Sequence, residues 1–215
     1  MLTPVRVSSV SGVIVLACLV GVTHGQQRRG LSLPGVLSAA TVPAVAKQLE
    51  LTGEQTTLAQ NLHAEIRHLR QDLFAGLGDL SQEERQDRFA KYTEQRRKKE
   101  NQLGESVGAA KLKRLRQLSS QAGGLVSAFF NRETAQQLEI SDDQRREGLE
   151  SLSGLREEFT SAGDDIEARN KLLKKASEKL SVFLTDDQKN KWEKMLGKPA
   201  SEELLAQIRS AARRN

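Results

Sequence analysis

Residues 44–198 contain no proline; the chain's four prolines, Pro4, Pro34, Pro43 and Pro199, all lie toward its ends. At the ordinary usage of ~5%, a stretch of that length would hold about eight. Proline removes a helix hydrogen bond and clashes with the preceding turn, whereas the Leu, Glu, Lys, Arg, Gln and Ala that dominate here are good helix formers. The pattern predicts an all-α fold. With 28% charged and 37% hydrophobic residues over 215 positions, the chain is too polar for a polytopic membrane protein. It is long enough for one or two packed domains.

Residues 1–25 read as a secretory signal peptide. Arg6 supplies a positive start, Val10–Val22 an apolar stretch shorter than a comfortable membrane span, and Thr23-His24-Gly25 a cleavage region before Gln26. An uncleaved anchor and a lipoprotein attached through Cys18 are the rival readings. Cleavage would remove the lone cysteine, leaving neither disulfides nor a thiolate zinc site, and no transmembrane span is expected in the mature form. The leader predicts export, to the periplasm or cell envelope.

Gln26–Pro43 holds two prolines and two glycines without a helical period, and is expected to be a linker or arm. Leu58, Leu62, Ile66, Leu69, Leu73 and Leu77 then form an amphipathic stripe over five turns, and a charged helix starts near Ser81. Gly104 and Gly108 weaken its far end, and Ser119–Gly124 punctuates the middle of the chain. Helices are expected at about 142–161, 165–183 and 186–196, with a short basic helix and tail over 200–215.

An internal repeat organises these elements. Gly35–Gln55 aligns without gaps on Gly124–Gln144 at a shift of 89, with eight of 21 positions identical. Residues 107–118 match 184–196 more loosely, with Leu115 opposite Trp192. The expectation is two similar helical-hairpin units in tandem, 44–118 (the repeat itself beginning near 35) and 124–199.

Four helix starts carry one device. Leu51-Thr52-x-x-Gln55, Leu80-Ser81-x-x-Glu84, Ile140-Ser141-x-x-Gln144 and Leu184-Thr185-x-x-Gln188 each place an apolar residue before a hydroxyl and a Gln or Glu three residues on. This is a capping box: the hydroxyl accepts from the N3 backbone N–H, and the N3 side chain returns to the cap's own N–H. The apolar residue that precedes it must bury itself against another helix, because Thr56, Arg85, Arg145 and Lys189 stand where a staple partner would. As physics the motif is structural and implies no catalysis.

The export leader, the helical composition and the repeated L-T-x-x-Q motifs resemble the Spy/CpxP-like periplasmic proteins. The resemblance rests on Leu51, Thr52 and Gln55, on Leu184, Thr185 and Gln188, and conservatively on Ile140, Ser141 and Gln144. It implies a small helical protein of the bacterial envelope, acting as an ATP-independent chaperone in a cradle-shaped dimer or restraining a stress-sensing kinase, with some relatives binding zinc or other metals. Here the unit is doubled and its fourth motif reads Val107-Gly108-Ala109-Ala110-Lys111, which suggests one chain imitating a dimer. The oligomeric state expected is monomer or homodimer.

Other sites compete with structural readings. His63 and His68 stand five apart, about 140° around a helix, so they do not converge on one ion and no metal or cofactor is expected. From Arg85 to Arg116 there are eleven Lys/Arg and four acids, including Arg96, Arg97, Lys98, Lys99, Lys111, Lys113, Arg114 and Arg116. These could face an anionic partner, or form a solvated face laced with pairs such as Glu94–Lys98. Nucleic acid is disfavoured, Phe89 and Tyr92 being the only aromatics within the cluster. Leu125, Val126, Phe129 and Phe130 form either core at the join between units or an apolar partner patch. No nucleophile–base or phosphate-loop arrangement points to an enzyme. The leading expectation is an exported protein that binds unfolding clients or an envelope signalling partner. A structural or anionic-surface-binding envelope component comes second and a metal sensor last.

Overall fold

The computed structural model describes residues 33–163 and 165–213. The expected signal peptide, Cys18 and residues 26–32 of the expected arm lie outside the described residues. Among those described, every regular element is helical: α1 (Val36–Ala40), α2 (Pro43–Gln48), α3 (Gly53–Phe74), α4 (Gln82–Val107), α5 (Ala109–Phe130), α6 (Arg132–Gln137), α7 (Asp142–Ser151), α8 (Arg156–Ser161), α9 (Ile166–Ser181), α10 (Asp186–Leu196) and α11 (Glu202–Ala211). The fold is all-α. No helix among the described residues is long and apolar enough to cross a membrane.

Three local expectations are corrected. Residues 36–43 do not form an arm: Val36, Leu37, Ala39, Ala40 and Val42 are buried, most of them in α1. A five-residue helix buried on all sides, its one hydroxyl (Ser38) turned back onto Gly35, has no solvent face to create a period. Ser119–Gly124 is not a break of several residues. α5 runs through the serines and Gly123, and the backbone leaves helical geometry at Gly124 alone (φ 59°, ψ −163°). Ser119 is held inside by donating its hydroxyl to Pro34 O at 3.0 Å. The helix expected over 142–161 is interrupted by a 3-10 turn at Ser153–Leu155, which separates α7 from α8.

Two hydrophobic cores result, and α5 runs through both. The first gathers Leu37, Val45, Leu62, Leu103, Leu115 and Leu118 from α1 to α5. The second gathers Val126, Phe129, Leu138, Leu155, Leu180 and Trp192. α11 follows the second core in sequence yet packs Ile208 and Ala211 into the first. Its route back is fixed by one face of α5. Arg114 donates to Lys198 O at 2.7 Å, while Gln121 donates to Leu196 O (2.7 Å) and Lys198 O (2.9 Å) and accepts from Ala200 N (2.8 Å).

α3 packs along α4 to form a long hairpin. Its tip holds Leu73 and Leu77, both buried, with the Phe74 and Phe89 rings edge to face at 6.3 Å. Neither core includes this tip. At 22 and 26 residues the two helices would span roughly 33 and 39 Å.

Candidate functional site

The repeated motif begins two residues before its helix. At the end of α2, Glu50 takes a left-handed conformation (φ 49°), and at the end of α6 Glu139 does the same (φ 56°). Each lets the next residue's N–H bond back five residues, Leu51 to Ala46 O and Ile140 to Ala135 O, both at 2.9 Å. This is the Schellman turn, and its C″ residue is the apolar member of the motif. Ile140 is buried in the second core and Leu51 packs on the first. The next residue, Thr52 or Ser141, then caps the following helix. All four expected boxes form, at Thr52/Gln55, Ser81/Glu84, Ser141/Gln144 and Thr185/Gln188.

The glutamines do more than cap. Gln144 Nε2 donates to Phe183 O at 2.7 Å, and Gln188 Nε2 to Glu139 O at 2.8 Å. The two amides also bond each other, Gln144 Nε2 to Gln188 Oε1 at 3.0 Å and Gln188 Nε2 to Gln144 Oε1 at 3.1 Å. Each side chain therefore crosses to the turn before the other helix. In the first half Gln55 Nε2 reaches Ser106 O at 2.6 Å, and Lys111 Nζ reaches Glu50 O at 2.7 Å. Lys111 stands where the loose match of 107–118 on 184–196 puts Gln188, and it makes the corresponding bond with an ammonium instead of an amide.

That bond draws Lys111 away from the expected anionic-partner face, and other cations are drawn into pairs as well. Arg114 is turned onto Lys198 O, Lys99 pairs with Glu65, Lys98 with Glu94 (2.7 Å), and Arg96 with Glu100 (3.7 Å). Arg97, Lys113 and Arg116, and the ion-paired Lys98, remain exposed. Burial pushes the Glu100 carboxyl up, against the opposing pull of Arg96 and Arg116. The eight cations thus do not form one face. The signal available in the sequence was local: Lys111 occupies a motif position, and Glu94–Lys98 and Arg96–Glu100 are i,i+4 pairs.

Of the two readings of the apolar stretch, the structure takes core packing over a partner patch. Val126 and Phe129 are fully buried, Leu125 is 7% exposed, and Phe130 packs against the same core. These residues are interior because α5 resumes after Gly124 and lies against α9, where a Cβ at Gly124 would fall 2.5 Å from Ser177 Oγ. His63 is half-buried and His68 exposed. Among the described residues no group of three His, Cys, Asp or Glu side chains could hold a metal ion. The clamp of Arg114 and Gln121 on the chain around Gly197 was not anticipated, since nothing in their spacing marks a carbonyl target. Compared with family models, curated proteins and solved structures, the chain matches none of them.

Proposed function

We propose that this chain is an exported protein-binding protein, a Spy/CpxP-like ATP-independent chaperone or envelope stress adaptor, working by contact rather than by catalysis. The observation that carries the reading is the α3–α4 hairpin. It offers a long charged surface with Phe74 46% exposed at a tip that belongs to neither core. Weak apolar contact beside many charges suits transient capture of unfolded segments. The motif glutamines are spent on backbone carbonyls, so the recognition surface is sought on the outer helix faces instead.

The test is aggregation of an unfolding client, such as reduced α-lactalbumin, at near-stoichiometric ratio without nucleotide. Protection is expected, and Phe74→Ser should weaken it while leaving the melting temperature within a degree or so, as for an exposed site. A chain that gives no protection at any ratio is not a chaperone. The exposed Arg97, Lys113 and Arg116 favour a second reading, attachment to an anionic envelope surface. Binding to anionic vesicles that disappears with salt, without client protection, would establish that reading in its place.

A further inference from the structure

The hairpins of the two halves differ in length. Between Gln55 and Lys111 the chain advances 56 positions, and between Gln144 and Gln188 it advances 44. Divided between two antiparallel helices, the excess lengthens the α3–α4 hairpin by about 9 Å. The far end of that hairpin is an apolar cluster apart from both cores. Leu73 and Leu77 are buried there, and Phe74, paired edge to face with Phe89, is 46% exposed.

The charge of this tip is opposite to that of the chain. The formal net charge of the whole is +5, yet from Gln71 to Arg88 there are five carboxylates, Asp72, Asp79, Glu83, Glu84 and Asp87, and two guanidiniums. All five acids are exposed, whereas Arg85 and Arg88 are half-buried. Both arginines are turned onto carbonyl oxygens of the tip itself: Arg85 Nε donates to Leu80 O at 3.0 Å, and Arg88 Nη1 donates to Ala75 O at 2.6 Å. The second of these satisfies a carbonyl at the C-terminal end of α3, which has no partner within the helix. Building the turn thus draws the cations inward and leaves the acids on the outside. Further down the hairpin the sign reverses. On α4, Lys91, Arg96, Arg97, Lys98 and Lys99 follow with Glu94 the single acid among them, and on α3 the nearest cations, Arg67 and Arg70, precede the last turn.

We infer, resting on the client-binding reading, that the tip is a docking surface for cationic amphipathic segments. An apolar side chain of the segment would cover Phe74, and its flanking Lys or Arg groups would face the carboxylates carried by both helices and the turn between them. Charge complementarity selects this occupant. An acidic segment is repelled at the tip, and an uncharged apolar one makes no use of the carboxylates around Phe74.

The experiment uses three labelled peptides of about 18 residues: a helical pattern of Leu and Lys, the same pattern with Glu for Lys, and the same with Ser for Leu. Fluorescence anisotropy with the full chain follows binding at low salt and at about 0.15 M. The Leu/Lys peptide should bind about tenfold or more tighter than either control, and less tightly as salt rises. Phe74→Ser should lower its affinity several-fold. Asp79→Asn/Glu83→Gln/Asp87→Asn should do the same and flatten the salt dependence, with melting curves confirming that both variants stay folded. Equal binding of either control peptide, or a Leu/Lys affinity unchanged in both variants, would overturn the inference. So would a wild-type dimer that Phe74→Ser converts to monomer, because the occupant of the tip would then be the basic stretch of a second copy. Client protection that persists in those cases leaves the chaperone reading standing without the tip. Peptide binding at the tip with no client protected removes the chaperone reading alone.

Discussion

The second half of the molecule closes its motif with two neutral amides, and the first half with an amide and an ammonium. Gln144 and Gln188 meet in a buried reciprocal pair, Gln188 being 7% exposed, whereas Gln55 and Lys111 make their carbonyl bonds nearer to solvent. The cores differ likewise. Phe129 and Gly148 stand in the second half where Ala40 and Ala59 stand in the first, a large residue facing none in one case and two small residues in the other. Volume and hydrogen bonds are thus preserved in kind while the individual residues change. What the two halves share is the turn and cap geometry, the positive φ at Glu50 and Glu139 with the boxes that follow.

That comparison is most directly broken at Gly148. A Cβ there would fall 2.4 Å from Phe129 Cε1, so Gly148→Ala must displace a fully buried ring. The expected costs are about 3–5 kcal/mol for Phe129→Ala through its cavity and about 1–3 kcal/mol for Gly148→Ala through overpacking. Combined, they imitate the Ala40/Ala59 arrangement and should cost less than the sum, by an interaction energy of roughly 1–3 kcal/mol. Denaturant melts of the four proteins measure it. Simple additivity would mean that the two halves do not solve the same packing problem.

The motif joints should rank next. Gln188→Ala leaves Glu139 O and the Gln144 amide without their partner in a buried setting, a loss of about 1–3 kcal/mol. Lys111→Ala breaks a single bond at an exposed carbonyl and should cost no more than about 1 kcal/mol. Lys111→Gln, which restores the motif residue, should be close to neutral. If Lys111→Ala proves as damaging as Gln188→Ala, the ammonium is an equal substitute for the amide and the first joint is not the weaker one.

Much of this architecture could be read from the sequence, for identifiable reasons. Proline absence, leucine spacing and the four boxes each report a local backbone requirement, and local requirements survive in one dimension. The 89-residue register is legible because turn and cap positions tolerate few residue types. Packing was not legible in the same way. Val36–Val42 are core because α3, α5 and α11 converge on them, and no pattern within seven residues carries that information. Gly123 and Gly124 look alike in sequence, yet only Gly124 takes a positive φ. Arg114 and Lys111 resemble their basic neighbours, and their carbonyl partners lie 84 and 61 residues away.

The caps themselves should separate the halves by less. Thr52 is followed by Gly53, a poor helix former at N1, whereas Thr185 is followed by Asp186 and Asp187 at the positive end of the helix dipole. Thr185→Ala is expected to cost about 1–1.5 kcal/mol and Thr52→Ala somewhat less. Client protection, where present, should survive both changes at temperatures at which the variants stay folded. Loss of protection with an unchanged melting curve would make the motif a contact surface rather than a cap.

The smallest effect belongs to His63, which has an apolar counterpart in the other half. His63 titrates below its ordinary value of 6.5 in the fold, chiefly through burial and then through Arg67 and Arg70, while Leu152 holds the matching position. Below that ordinary value the unfolded chain binds the proton more readily than the folded one, so acid draws the equilibrium toward unfolding. The contribution is fully present above about pH 6.5 and is lost as the solution is acidified through and below that point. Other groups respond to acid with different signs, the carboxylates with lowered values only below their ordinary value of 4.5. Glu84 and Glu94 are held below the usual carboxylate value by Ser81 and Lys98, and they too lose stability in acid. Glu100 is raised by burial and favours the fold as it protonates. The His63 term is therefore isolated only by difference, comparing the wild-type chain with His63→Leu. The variant should lose less melting temperature than wild type between about pH 7 and about pH 5. An equal drop in both proteins, or a measured His63 midpoint above 6.5, would show that its neighbours do not oppose its charge.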